Sequence, residues 1–314
     1  MSRIAAKTGC QISLPGINGG NLLGFLAALG TLRALTAAIP DASLRMGWKI
    51  IGTAWRPVLD SRIGLSDLVI LEWLTNYFEK WRKAPESHPV MLWQHWLGEA
   101  AGIKPVFAAE VAQCTVTDRD RGDWLAGIGT EAEVAKGQDG DSAFRAARTD
   151  YIIGNLRAII SRTESGHLNK VLFGPWVYDD PMDNLSLKFD SSEDRRHAYQ
   201  WSAPSGDPDR KKRGNVLGAN RLAIEAIPLF PTVVDGQHLA TTGFTGTRST
   251  RNLTWCLWDE PVGVEVVRSI LALQGLTLEK PDTVKLKRMG IPVVYRCQRQ
   301  TIGKTRIFTP PFAL

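Results

Sequence analysis

The chain has 314 residues, 44% of them hydrophobic and 22% charged, which excludes a disordered polypeptide and allows a sizeable core. A formal charge of +6 favours an anionic partner over a cationic one. The four cysteines, Cys10, Cys114, Cys256 and Cys297, form no CxxC or Cys/His pair, so neither a zinc ribbon nor a disulfide framework is indicated and a reducing cytoplasm is the expected compartment.

In chain order, residues 11–14 read as a short strand, and Pro15-Gly-Ile-Asn-Gly-Gly20 as the loop leading to Asn21, a good N-cap. The helix that follows, to about Ala38, has large residues around most of its circumference. Its small ones (Gly24, Ala27, Ala28, Gly30, Ala34) permit close approach, which makes it a central element. Gly24, Gly30 and Arg33 argue for a buried helix over a membrane span, and the mixed residues ahead of it argue against a secretory signal. Residues 43–50 and 51–59 read as two strands carrying Trp48 and Trp55. The resulting β-α-β-β order predicts an α+β fold with a ferredoxin-like or RNA-recognition-type start, in which a helix covers one sheet face and the other is free to bind.

Ser66 caps a second helix through Trp81, with Leu68, Leu71, Leu74, Phe78 and Trp81 at helical spacing. A strand at 114–116 and a charged loop at 117–123 follow. The Gly-rich stretch 135–141 is the best candidate for a connection, dividing the chain into two packed subdomains, 1–136 and 137–314. A helix is expected over 142–162, with Phe144, Ala147, Tyr151, Ile152, Leu156, Ile159 and Ile160 as its apolar stripe. Arg145, Arg148, Arg157 and Arg162 fall largely outside the stripe, as a solvated face or one that follows a nucleic-acid backbone.

The most informative stretch is 185–231. Leu185, Leu187 and Phe189 alternate with polar residues as in a strand, and a densely charged insert follows. Its two basic clusters, Arg195 with Arg196 and Arg210 with Lys211, Lys212 and Arg213, flank an aromatic pair, Tyr199 and Trp201. Cations neutralise phosphates and aromatic faces stack on unpaired bases, so this pattern suits a polyanion surface; the alternative is a solvated loop beside core aromatics. A helix over 216–227 comes next, with Asn220 next to its buried side and Arg221 and Glu225 as a surface ion pair on another face. Asn215 is its expected N-cap, and the helix's positive end beside Arg213 is a candidate phosphate seat.

Strands are expected at 238–245 and 252–258, and between them a basic, hydroxyl-rich loop offers Arg248 and Arg251 to phosphates. A helix at 262–274 and a basic hairpin, 292–299 with 305–308, complete the chain. Gly303-Lys304-Thr305 lacks the first glycine and the strand-to-helix setting of a phosphate-binding loop. The five histidines form no HxH or HExxH pattern and there is no GxSxG elbow, so the chain reads as a binder, with no cofactor or metal expected. Two enzymatic alternatives stay open: a metal-dependent nuclease using Asp180, Asp190 and Asp194, and a guide-RNA-processing ribonuclease using His197.

LPGINGGNLLGFLAALGTLRAL at 14–35, DRRHAYQW at 194–201, GANRLAIEAIPLFP at 218–231 and TTGF at 241–244 together resemble proteins encoded in type I CRISPR loci, particularly the large-subunit-like components of subtype I-G, formerly I-U. The resemblance implies a non-catalytic subunit of a crRNA-guided surveillance complex. Its implied partners are crRNA or target DNA, other effector subunits and the recruited helicase-nuclease, with no membrane; a protein-only assembly factor that recruits the helicase-nuclease is a further alternative. In such complexes base pairing reads the sequence while protein reads backbone. Arg195, Arg196, Lys211, Lys212, Arg213, Asn220 and Arg221 are then the first candidate contacts, and Arg248 and Arg251 the next. This chain is shorter than the usual large subunit, which leaves the subunit open.

Overall fold

The computed structural model describes residues 10–94, 103–130, 142–146, 149–181, 185–191, 214–236, 238–246, 250–302 and 305–314. The chain opens β1 (Cys10–Ser13), α1 (Leu22–Ala38), β2 (Arg45–Ile51), β3 (Ala54–Ser61). Its three strands lie in the order β1-β3-β2, all antiparallel, with Ile12 and Met46 both opposite Leu59. A helix linking two strands that flank a third is the expected opening of a ferredoxin-like unit. A second, five-stranded antiparallel sheet near the C-terminus comprises β6 (Phe244–Gly246), β7 (Thr250–Leu257), β8 (Val293–Ile302), β9 (Thr305–Phe308) and β10 (Phe312–Ala313). The fold is α+β, and the hairpin β4 (Thr232–Asp235) with β5 (His238–Thr241) stands apart from both sheets.

Between the sheets lies α1, buried along its length from Leu22 to Leu35. Its Phe25 ring stacks on Trp48 of β2 at 6.0 Å and on Trp255 of β7 at 5.8 Å, so one side chain joins both sheets. The indoles of Trp255 and Trp258 donate to the carbonyls of Gly19 and Met46, and the backbones of Met46 and Val262 exchange two hydrogen bonds. These tryptophans therefore form core, with no face left for a base. The buried apolar residues make one continuous cluster running from Leu14 to Phe308, and the expected divide at 136/137 lies outside the described residues.

The helical layer comprises α2 (Asp67–Lys83), α3 (Ile103–Ala112), α4 (Arg119–Ile128), α5 (Thr149–Arg162), α6 (Ser165–Phe173), α7 (Leu217–Ala226) and α8 (Val264–Leu271). The closest approach is that of α1 to α7: a β-carbon on Gly30 would lie 1.7 Å from the Leu222 carbonyl oxygen, so only glycine fits. No helix among the described residues is long and apolar enough to cross a membrane.

Several local expectations change. Residues 114–116 are not a strand; a turn follows α3 and leaves Val116 exposed. The charged run 117–123 starts α4, capped by Asp118, whose carboxylate accepts from the Arg121 N–H. The helix expected from 142 begins at Thr149 instead, and Arg145 is buried, while Tyr151 of the expected apolar stripe is half exposed. Residues 185–189 pair with no strand among the described residues, because Lys188 takes a left-handed backbone (φ 64°), yet Leu185, Leu187 and Phe189 are all buried.

Candidate nucleic-acid interface

Arg195, Arg196, Tyr199, Trp201, Lys211, Lys212, Arg213 and Arg248 lie outside the described residues. The points at which the chain leaves for the basic insert and returns from it are described, and they meet at Tyr178. Its hydroxyl donates to the Asp190 carboxylate at 2.7 Å, just before the insert, and its carbonyl accepts the Gly214 N–H at 2.8 Å, just after it. Asp180 and Asn215 pair through their backbones beside this point. Tyr178 itself has φ 58°, a conformation that costs a bulky residue ~1–3 kcal/mol and persists only where surrounding bonds impose it.

The expected phosphate seat at the start of α7 is filled from within the protein. Asp180 Oδ2 accepts the Leu217 N–H at 2.7 Å, so an aspartate satisfies the positive helix end, and Asn215 donates to the Pro181 carbonyl at 2.5 Å instead of capping. This also places two of the three carboxylates considered for metal chemistry: Asp180 caps α7 and Asp190 accepts from Tyr178.

Asn220 and Arg221 are buried. The Asn220 amide accepts the Leu187 N–H at 2.9 Å and donates to the Val216 carbonyl, holding the segment before the insert against α7. Arg221 is not on the surface with Glu225; the two form an ion pair at 2.8 Å inside the helical layer. Glu225 also accepts from Arg33 at 2.9 Å and from His88 Nε2 at 2.9 Å. The His88 Nδ1 accepts the Val90 N–H, which fixes the proton on Nε2 and the ring as neutral. Burial, outweighing Glu225, pulls the His88 pKa down to about 4. Burial works against the Glu225 carboxylate too, but Arg221, His88 and Arg33 prevail and hold its pKa well below the usual carboxylate range. The guanidiniums lie over aromatic rings, Arg221 at 3.9 Å from the Phe78 centroid and Arg33 at 4.8 Å from that of Trp124. Sequence reasoning passed over this network, although one arginine within an otherwise apolar α1 was a signal of a buried partner.

Arg251 sits on β7 opposite Arg299, half-buried. Of the candidate contacts within the described residues, it alone is neither fully buried nor sealed under α1.

Beside Tyr178 opens a cleft of about 490 Å³. One wall is the Gly-rich loop, through Pro15, Gly16, Asn18 and Asn21; the other is the turn after α6, through Phe173, Gly174, Pro175, Trp176 and Tyr178; Arg56 of β3 completes the lining. Gly16 is required because a β-carbon there would meet the Val171 carbonyl at 2.2 Å. Arg56 uses one nitrogen, Nη1, on the Ile17 carbonyl at 2.8 Å, and the amide oxygens of Asn18 and Asn21 accept the N–H groups of Gly20 and Gly24. The other nitrogens of these three side chains have no partner among the described residues. Among the described residues the lining carries a cation, amide donors and aromatic rings, and no carboxylate.

A second cleft, of about 400 Å³, has the opposite character. It is bordered by Glu86, Glu110, Asp118 and Asp120, with Arg121 and the backbone around His88. Arg157, Arg121 and Arg33 pair with Glu86, Glu110 and Asp120 in turn.

No protein-family model, curated protein or solved structure matches the chain. Its function is therefore argued from the site itself. Among the described residues no group of three or more His, Cys, Asp or Glu side chains is placed to hold a metal ion.

Proposed function

We propose that the chain is a non-catalytic, nucleic-acid-binding subunit of a crRNA-guided type I CRISPR surveillance complex, contacting guide or target backbone. The observation that carries this reading is the tie at Tyr178: both ends of a segment with six Lys or Arg residues are fixed at the rim of a cleft lined by a guanidinium, amides and aromatic rings. Cations beside stacking surfaces are what a single strand requires. Two of the stretches that carry the family resemblance also meet in space, since 14–35 supplies the cleft loop and α1, and 218–231 supplies α7, packed on α1 at Gly30.

The test is a titration of the purified chain with labelled single-stranded RNA, single-stranded DNA and duplex DNA at two salt concentrations, with cleavage monitored in each. Salt-sensitive binding without cleavage is the expected result. Combined reversal of Lys211, Lys212 and Arg213 to glutamate lowers affinity across sequences and reduces the log–log salt slope by about 0.7–0.9 for each phosphate no longer neutralised. Unchanged binding in that variant defeats the reading.

A further inference from the structure

The cleft beside Tyr178 has the chemistry of a specific occupant. Its unengaged side-chain groups among the described residues are donors: the remaining Arg56 nitrogens and the Nδ2 groups of Asn18 and Asn21. An occupant must therefore bring acceptors and negative charge, as phosphate and base edges do. The half-buried Trp176 is held edge-on to Tyr178, with ring centroids 6.3 Å apart, by an indole N–H that donates to the Val171 carbonyl at 3.1 Å. A fixed ring of this kind loses little freedom when a second ring stacks on it. The volume of about 490 Å³ falls within the range of small-molecule sites. A base held in a duplex stack cannot enter a recess, whereas an unpaired one can.

Resting on the reading that the chain binds nucleic acid, we propose that this cleft seats one unpaired nucleotide of a single strand, its base against Trp176 and its phosphate at Arg56. Asn18 and Asn21 then donate to base or sugar oxygens. The strained backbone of Tyr178 belongs to this site: it turns the chain so that one residue forms the cleft wall with its ring and secures both ends of the basic segment.

The test is photocross-linking of the full chain to single strands carrying 4-thiouridine or 4-thiothymidine, with peptide mapping, alongside affinities of Trp176→Ala, Trp176→Phe and Arg56→Gln. Adducts are expected within 173–178. Trp176→Ala weakens binding about 5- to 100-fold, Trp176→Phe retains most of it, and Arg56→Gln lowers the salt slope by about 0.7. The RNA and DNA arms show which strand is held. Adducts confined to other peptides, or a folded Trp176→Ala chain that binds as tightly as the parent, overturn the cleft and leave the broader reading standing. Failure to bind any nucleic acid overturns both, and if Trp176→Ala does not fold, the adduct position and the Arg56→Gln slope decide.

Discussion

Two clefts of similar volume, one beside Tyr178 and one beside Asp120, differ in what their polar groups are already doing. Around Asp120, three of the four carboxylates hold arginines and the fourth, Asp118, caps α4. Asp120 among them belongs to a network that reaches through Arg33 to Glu225 in the core. Around Tyr178, the arginine and both asparagines each use part of their capacity on the backbone and leave donors over. Lining composition alone would suggest two charged sites. The first cleft has its charges paired; the second keeps side-chain donors with no partner among the described residues.

That comparison makes opposite predictions for stability and for binding. The largest effect is expected at Glu225. Glu225→Ala leaves the buried Arg221 without its carboxylate and Arg33 with Asp120 alone, and costs about 3–5 kcal/mol in denaturant unfolding; a loss below about 1 kcal/mol would mean that water reaches the network. The next is pH dependence. Neutral His88, whose pKa falls from 6.5 unfolded to about 4 folded, contributes stability above pH 6.5 that is lost progressively as pH falls toward 4, on the order of 3 kcal/mol in all. The lowered Glu225 pKa contributes in the same direction, with stability lost as pH drops below the unfolded carboxylate value. His88→Gln should flatten the upper part of this acid limb, measured as unfolding midpoints between pH 7 and 4. The smallest effect belongs to the other cleft. Arg56→Gln removes one hydrogen bond to a carbonyl and should change stability by only about 0.5–1.5 kcal/mol, so a weakened strand affinity in that variant reports on binding.

Much of the scaffold was legible in the chain. Small residues in an otherwise large-residue helix announced the close packing of α1, and Gly30 is where α7 meets it. Ser66 caps α2 as its position suggested. The alternation at 185–189 picked out three side chains that are buried but misnamed the element, since Lys188 turns left-handed and the polar Ser186 is buried as well. Arg221 and Glu225 show a different limit. Four-residue spacing places two charges together on a helix but says nothing of the side from which neighbours cover them, and the covering residues come from two other parts of the chain, Arg33 from α1 and Phe78 and His88 from α2 and the turns after it. The cleft itself was half visible. The Gly-rich loop stood out, but its facing wall comes from the turn after α6, a helix not anticipated at all.

Because Asp190 and Gly214 are both bonded to one tyrosine, the two ends of the intervening segment are set by the fold and not by its content. For a flexible loop between fixed ends, doubling the length costs only about 0.6 kcal/mol of closure entropy. The bonds that hold those two ends draw on Tyr178, Asp190 and Gly214 alone, so the tie itself sets no requirement on the length or charge of the segment between them. Tyr178 thus acts as a socket whose hold on the two ends is independent of the segment between them.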